Sequence, residues 1–156
     1  GGIFLGFYKF SYDHYRYVHT IPANFKKTVF SNDICSLSHD FVEIYQQSEQ
    51  AENLGLNRIC GVGYRKAVEF LIKDYCIFAD EKSKDAILEE KFIDSIKRLN
   101  NPQMKNLANK CRMLGNDETH TFIRYEEGIK ELKLFIASLV NFIQIQFDAE
   151  KILQKN

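Results

Sequence analysis

The chain has 156 residues, enough for one domain with a buried core, and its 45% apolar and 27% charged residues are the balance of a globular protein. Its 21 lysine and arginine residues equal its 21 aspartate and glutamate residues, so the net charge is zero. This balance argues against an extended nucleic-acid footprint, which needs a basic surface, but leaves room for a small basic cleft. Thirteen Phe and eight Tyr without any Trp predict an aromatic-rich core or an exposed stacking surface.

The four cysteines, Cys35, Cys60, Cys76 and Cys111, are widely spaced and form no C-x-x-C pair. This excludes two zinc knuckles, and a domain of this size does not need a disulfide framework. We predict buried, reduced cysteines, which are typical of the cytoplasm. No apolar stretch predicts a transmembrane helix, so we expect no membrane partner. The start, GGIFLGFYKF, has no basic region and no cleavage site, so it does not predict a signal peptide. Because it lacks an initiator Met, we expect a fragment of a longer chain.

The first thirty residues predict an arm that is distinct from the rest of the chain. Aromatic residues crowd this region: Phe4, Phe7, Tyr8, Phe10, Tyr12, Tyr15 and Tyr17. Turn-forming residues from Ser11 to His14 divide them, which predicts a short β-hairpin or extended arm with strands over about 3–10 and 15–21. A lone hairpin is marginally stable, so the arm must pack on the helical body or on another chain.

Two further interpretations of the arm are weaker. Its aromatic rings, with Lys9, Arg16, His14 and His19 among them, have the composition of a surface that stacks nucleobases, although packing is the favoured interpretation. His14 and His19 have only Asp13 as a neighbouring carboxylate, so the arm does not predict a metal site.

Helical patterns begin at Ser36, and Ser38 is predicted to cap a helix that Gly55 ends. A second helix is predicted over 57–78, where apolar residues recur at three- and four-residue intervals: Tyr64, Ala67, Val68, Leu71, Tyr75 and Phe78. Gly61 and Gly63 in its first turns predict the close approach of another backbone.

The charged stretch 80–91 predicts a solvated loop leading into a short helix over about 86–99. Pro102 suits the first position of the next helix, predicted to run to Leu114 and to stop at Gly115. A long apolar stripe predicts a last helix over 126–153.

Long and short helices joined by short loops predict a mainly α fold, an antiparallel bundle of four to five helices behind the arm. We place the arm at 1–30 and the helical domain at 31–156.

The segment from Arg112 to His120 holds the candidate site. A glycine, an amide, two carboxylates and an imidazole follow one another where one helix ends, and histidine suits proton transfer near neutral pH. A structural role fits as well: Asn116 caps the helix, Asp117 or Thr119 starts the next element, and His120 forms an ordinary hydrogen bond.

The residues GYRKAVEFLIKDY (63–75) and LGNDETH (114–120), followed by a long apolar helix, resemble the bacterial family called domain of unknown function 4145 (DUF4145). That family is grouped with the HEPN proteins, helical bundles that often dimerise. The resemblance covers about residues 36–150. It implies a HEPN-like bundle, a homodimer, no metal or other cofactor, and a place in a larger bacterial protein or defence system.

Active HEPN ribonucleases carry Arg, a polar residue, three variable residues and His. Here Asn116 and His120 match this motif, but Gly115 stands at the arginine position. The resemblance implies that His120 would move protons while an arginine stabilises the charge on phosphorus. Arg112 or Arg65 would have to supply that charge.

Losing the arginine removes what is usually the largest electrostatic contribution to such a rate. Asp117 and Glu118 add negative charge where a phosphate would bind. We therefore predict a non-catalytic binding or assembly module, with a metal-independent ribonuclease using His120, Asn116 and Arg112 as the alternative.

Arg65 and Glu69 lie four residues apart on the predicted second helix, which predicts a surface ion pair. The alternative makes Arg65, Glu69, Gly115 and Asp117 ligand-binding residues facing His120. A nucleotide-sensing domain, with Gly61, Gly63 and Asn116 lining a phosphate pocket, is a weaker hypothesis because no P-loop is present. RNA or a nucleotide is thus a weakly indicated ligand.

Overall fold

A computed structural model describes residues 5–21, 27–117 and 125–153, and within these the chain is mainly helical behind an N-terminal two-stranded antiparallel hairpin. The elements in chain order are β1 (Leu5–Ser11), β2 (His14–Ile21), α1 (Asn32–Leu37), α2 (His39–Asn53), α3 (Asn57–Ala79), α4 (Lys84–Glu89), α5 (Phe92–Arg98), α6 (Pro102–Asp117) and α7 (Tyr125–Leu153), with a 3₁₀ turn at Glu81–Ser83. The predicted helical class and hairpin are confirmed. The described residues form seven α-helices, however, so the prediction of four to five was too low.

The boundaries of α2 follow the predicted signals. The hydroxyl of Ser38 accepts a hydrogen bond from the backbone amide of Phe41 at 3.4 Å, as an N-cap does. Gly55 follows the helix with a φ of +74°, a left-handed conformation in which a side chain would be strained. Ser31 caps the short helix α1 in the same way, and the sequence analysis did not predict this helix.

The region 80–99 differs from its prediction. A 3₁₀ turn and α4 occupy the expected loop, and the chain is extended at Glu90 before α5 begins. The ammonium group of Lys73 on α3 donates hydrogen bonds to the carbonyls of Leu88 and Glu90 at 3.0 and 2.8 Å. These bonds satisfy carbonyls left open at the end of α4, so a tertiary contact stabilises the break that divides the predicted helix.

Helix α3 lies at the centre of the bundle and contacts the other six helices. Its inward positions are fully buried: Tyr64, Ala67, Val68, Leu71 and Ile72. Helix α6 starts beside the end of α3, where Met104 and Cys76 line one cavity, and its buried face then runs back along α3. Helix α7 covers α6, α3 and α1.

The close approach of another helix that the glycines predict is confirmed at Gly63. A Cβ atom at this position would lie 2.2 Å from the hydroxyl oxygen and 3.2 Å from the Cβ of Ser48 on α2. These distances leave no room for a methyl group, so the glycine permits α2 and α3 to pack closely.

Among the described residues, α7 provides one segment, Gly128–Leu153, that is long and apolar enough to cross a membrane by length and composition. The sequence analysis predicted no such segment. One helix of this kind is weak evidence, because core helices pass the same test. In the most apolar 18-residue stretch of this segment 22% is buried, and Leu132, Ile136 and Leu139 belong to the core of the bundle.

The cysteines are free thiols, and Cys60, Cys76 and Cys111 are buried as predicted. Cys35 is exposed, which corrects the prediction for that residue: it lies on α1, where its neighbour Ile34 is the residue that points into the core. Burial raises the pKa of the Cys76 thiol to about 11 and that of Cys111 to about 12.

The native protein should therefore expose one rapidly reacting thiol. Thiolate is the nucleophile, and burial suppresses both access and ionisation at Cys76 and Cys111. Titration with a chromogenic disulfide at pH 8 should release one equivalent quickly and the rest only in denaturant. Cys35→Ser should remove the fast phase, and a second fast equivalent in the native protein would contradict this assignment.

Substituting Gly63 by alanine should destabilise the fold by about 1–3 kcal/mol in urea unfolding, because the new methyl group displaces Ser48. Gly128→Ala on α7 is the matched control: nothing lies within 4 Å of its added Cβ, so a gain of up to about 1 kcal/mol is expected. Adding Ser48→Ala to Gly63→Ala should recover part of the loss. Equal effects of the two glycine substitutions would show that α2 and α3 are not closely packed here.

Candidate functional site

The residues predicted to form the site lie at and beyond the end of α6. This helix continues through Gly115 to Asp117, so the prediction that Gly115 stops it was wrong. Glycine lowers helix propensity by about 1 kcal/mol but does not forbid a helix. The helix places position 116 one turn after Arg112. His120 and Glu118 lie outside the described residues, as do the side chains of Asn116 and Asp117.

Arg65 and Glu69 form the predicted pair on α3, but it is not a surface pair. Arg65 Nη1 lies 3.7 Å from a carboxylate oxygen of Glu69, and the two side chains are only 24% and 17% exposed. The guanidinium lies 5.7 Å from the ring centre of Phe92 on α5. This ring covers part of Arg65, so the arginine is more buried than the helical spacing alone predicts.

Arg65 and Arg112 share an uncommon feature. The Nε atom of each is buried and has no hydrogen-bond partner among the described residues. Arg65 lies on α3 and Arg112 on α6, two helices that pack against each other, so both candidate arginines belong to the same pair of contacting helices.

The hairpin presents two chemically different faces. Tyr8 pairs with Tyr17 and Phe10 with Tyr15, with ring centres 5.6 and 5.0 Å apart. Cross-strand partners project from the same side of a sheet, so these four rings form one face, which we call the aromatic face. Lys9 pairs with Arg16 and Ser11 with His14 on the opposite side, and we call these two pairs the polar face; Leu5 and Phe7 extend this side of β1 with apolar side chains.

The aromatic face is largely exposed. Tyr8, Phe10, Tyr15 and Tyr17 are 53–73% accessible, and Tyr12 at the turn is 93% accessible with a φ of +49°. None of the residues 5–18, the part of the hairpin whose side chains are described, belongs to the hydrophobic core or to the partly buried layer packed against it. The prediction offered two supports for the arm, the helical body or another chain, and this stretch takes no part in the core of the first.

A polar network between α2, α3 and α7 was missed by the sequence analysis. Tyr64 donates a hydrogen bond to a carboxylate oxygen of Glu52 at 2.6 Å, and Lys133 donates to the same oxygen at 2.9 Å. Nearby, Glu49 accepts hydrogen bonds from the amide and hydroxyl of Thr28 at 2.8 and 2.7 Å. Two carboxylates on the inner side of α2 therefore hold α7 and the segment before α1 against the bundle.

The electrostatics of this network follow from burial. Burial and the bond to Glu52 raise the pKa of Tyr64, so its phenol stays protonated and donates. Burial by itself lowers the pKa of Lys133, but the bond to Glu52 and the nearby carboxylates outweigh it and raise the pKa overall. Both donors therefore keep their protons, which suits a structural role and not proton transfer. The only sign of this network in the sequence was that Glu49 and Glu52 follow the apolar residues Phe41 and Tyr45 at helical spacing, on the same side of α2.

Lys133→Met should destabilise the protein by about 1–2 kcal/mol in urea unfolding, because Glu52 loses its cationic partner in a partly buried setting. Lys130→Met is the control: it is exposed on the same helix and forms no ion pair with the described residues, so a change within about 0.5 kcal/mol is expected. A loss at Lys133 no larger than at Lys130 would mean that the network does not hold α7.

A cavity of about 370 Å³ opens where α3 ends and α6 begins. Its polar groups are partly committed to structural bonds. Both carboxylate oxygens of Glu90 accept from Arg98 Nε at 2.9 Å, and the amide oxygen of Asn101 caps α6 by accepting from Gln103 and Met104. The positive charge of Arg98 is therefore already compensated by Glu90, and the cavity offers a ligand no free charge from this residue.

In the described part of the chain, one group of side chains is close enough to share a metal ion: His39, Asp40 and Glu43 at the start of α2. All three are exposed, and His39 Nδ1 lies 4.0 Å from each carboxylate. Such contacts are ordinary on a helix surface, where a protonated histidine pairs with neighbouring acids, so they assign no metal site.

No family model, no curated protein and no solved structure matches this chain. The resemblance to the HEPN-like family therefore rests on the residues of the sequence analysis and stays a prediction.

Proposed function

We propose that this protein is a non-catalytic binding and assembly module, a HEPN-like helical bundle that forms a homodimer and presents its hairpin to another polypeptide. The carrying observation is the exposed aromatic face: four rings project from one side of a two-stranded sheet that contributes nothing to the core. Exposed apolar surface gathered in one place is the usual mark of an interaction site.

The alternation along the hairpin supports this function. Strands with one aromatic and one polar face are typical of sheets that are covered on one side and solvated on the other. A two-stranded hairpin is also marginally stable by itself, so a partner that covers the aromatic face would stabilise it as well. The four free thiols are compatible with a reducing cytoplasm, where we infer that the protein works.

The surroundings of Arg65 weigh against catalysis. A guanidinium that already contacts Glu69 and lies over Phe92 is less available to a phosphate than a free one. Gly115 leaves the motif without its arginine, and electrostatic stabilisation of the transition state depends on that charge. Binding without turnover is the function that these residues support best.

Light scattering at micromolar concentration should give a particle of about twice the chain mass of 18.3 kDa. Incubation with single-stranded RNA should give no cleavage, and His120→Ala should leave both results unchanged. A single-chain mass throughout the micromolar range would contradict the assembly function. RNA cleavage that is lost in His120→Ala would replace it with the catalytic one.

A metal-independent endoribonuclease is the second candidate, favoured by Asn116 and His120, which match two positions of the HEPN motif. A guanidinium is suited to a phosphate, which accepts two parallel hydrogen bonds. In this mechanism His120 would transfer the proton and Arg112 would stabilise the charge, with Arg65 as the alternative cation.

A further inference from the structure

We infer that the partner of the aromatic face is the same face of a second copy of this chain, so that two hairpins pack face to face through Tyr8, Phe10, Tyr15 and Tyr17. This inference rests on the proposed assembly function and deepens it, because it names the partner and the contacting surface.

The register of the hairpin places the four rings in one continuous contact surface. Tyr8 and Phe10 are separated by one residue on β1, and their partners Tyr17 and Tyr15 are separated by one residue on β2. The two cross-strand ring pairs therefore stand side by side. The irregularity in the ladder lies before Tyr8, between Phe7 and Tyr8, and leaves these pairs in register.

Charge favours a self-complementary contact through this face. A twofold interface brings each patch against its own copy, so a patch that carries charge repels itself. The aromatic face carries none, whereas the polar face places the cations Lys9 and Arg16 directly opposite each other. Two copies would therefore meet through the rings and leave the cations in solvent.

The same arrangement weighs against a nucleic acid as the partner of this face. Single-stranded nucleic acids bind where cations track the phosphates beside the stacking rings. Lys9 and Arg16 belong to the side of the sheet opposite the rings, and the net charge of the chain is zero. A second polypeptide with an apolar aromatic surface fits the described chemistry better.

The area of the face matches a reversible dimer. An aromatic side chain buries roughly 150–250 Å², so four rings that are 53–73% exposed offer roughly 400–600 Å² for each copy. Two copies would bury roughly 800–1,200 Å², close to the lower limit of about 1,000 Å² for a specific interface. We therefore expect dissociation on dilution, with a Kd on the order of micromolar.

Sedimentation of the full chain provides the test, with two double substitutions on neighbouring cross-strand pairs. Phe10→Ser with Tyr15→Ser removes half of the aromatic face and should raise the Kd of the dimer at least about tenfold. Lys9→Ser with Arg16→Ser changes the polar face of the same strands and should leave the Kd within about threefold. Because neither pair belongs to the core, both variants should keep the helical signal of the parent.

Salt distinguishes this contact from an electrostatic one. Raising sodium chloride from 0.05 to 0.5 M should leave the dimer unchanged or strengthen it, because the contact carries no charge. A steep fall in affinity with salt would overturn the inference. A single-stranded oligonucleotide that dissociates the dimer by binding the rings would do the same.

A fluorescent reporter provides a second measurement that does not depend on losing the dimer. The chain contains no Trp, so Phe10→Trp would be the only one, and its emission should shift to shorter wavelength as the protein is concentrated. Emission that stays constant while the dimer forms would overturn the inference. The control is Leu88→Trp, an exposed position on α4, which should show no such shift.

Each failure has a distinct meaning. A dimer that survives Phe10→Ser with Tyr15→Ser overturns the face-to-face contact and leaves the assembly function in place. A parent chain that remains a single-chain particle up to 100-fold above the expected micromolar Kd overturns both. Loss of the dimer only in the Lys9 and Arg16 variant assigns the contact to the polar face and overturns the inference.

Discussion

The bundle depends on the burial of α3. This helix contacts the other six, and its inward side chains are fully buried, so the position of every other helix is set by how closely it can approach this one. Gly63 permits the closest of these approaches, because any larger residue would meet Ser48 on α2. Close packing of this kind tolerates little change in volume, which makes a single glycine a structural requirement.

Burial of α3 also explains the polar contacts at its edges. Tyr64 and Arg65 follow Gly63 directly, and each must keep hydrogen-bonding or charged groups where the surrounding helices exclude water. Glu52 and Lys133 satisfy Tyr64, while Glu69 and the ring of Phe92 accompany Arg65. Three buried donors stay unpaired among the described residues, Arg65 Nε, Ser95 Oγ and Arg112 Nε, and both arginines are residues for which a site role was predicted.

The hairpin is the opposite case. The four rings of its aromatic face are as large as those in the core, yet they remain more than half exposed and take no part in it. Apolar area of this kind stabilises a protein only when something covers it. The same physical rule therefore applies to the helical body and to the hairpin. The apolar faces of the helices are covered within the chain, whereas the aromatic face of the hairpin calls for a partner.

Local signals predicted the elements whose boundaries depend on one or two residues. The cap at Ser38, the end of α2 before Gly55 and the start of α6 at Pro102 were all predicted correctly. Two boundaries were not. Lys73, distant in sequence, bonds to the carbonyls of Leu88 and Glu90 at the end of α4. Helix α6 passes through Gly115 to Asp117, because a glycine lowers helix propensity without ending a helix.

The candidate site could be predicted only in part for the same reason. Helical spacing predicted that Arg65 and Glu69 would meet, but not that Phe92 would cover them, because that ring comes from another helix. The network around Glu52 joins residues from three helices, and no spacing within one helix indicates it.

The sequence by itself determined the long helices α2, α3, α6 and α7, the apolar stripes of α3 and α7, and an aromatic hairpin at the start of the chain, but not the short helices α1 and α4. Periodicity and turn residues are enough for this, because they act over a few neighbouring positions. Only the tertiary structure decided what covers each apolar face. In the folded chain the stripe of α3 is buried among six helices, and the aromatic face of the hairpin stays outside the core. The residues that bury an apolar face are distant in sequence, and folding alone brings them together.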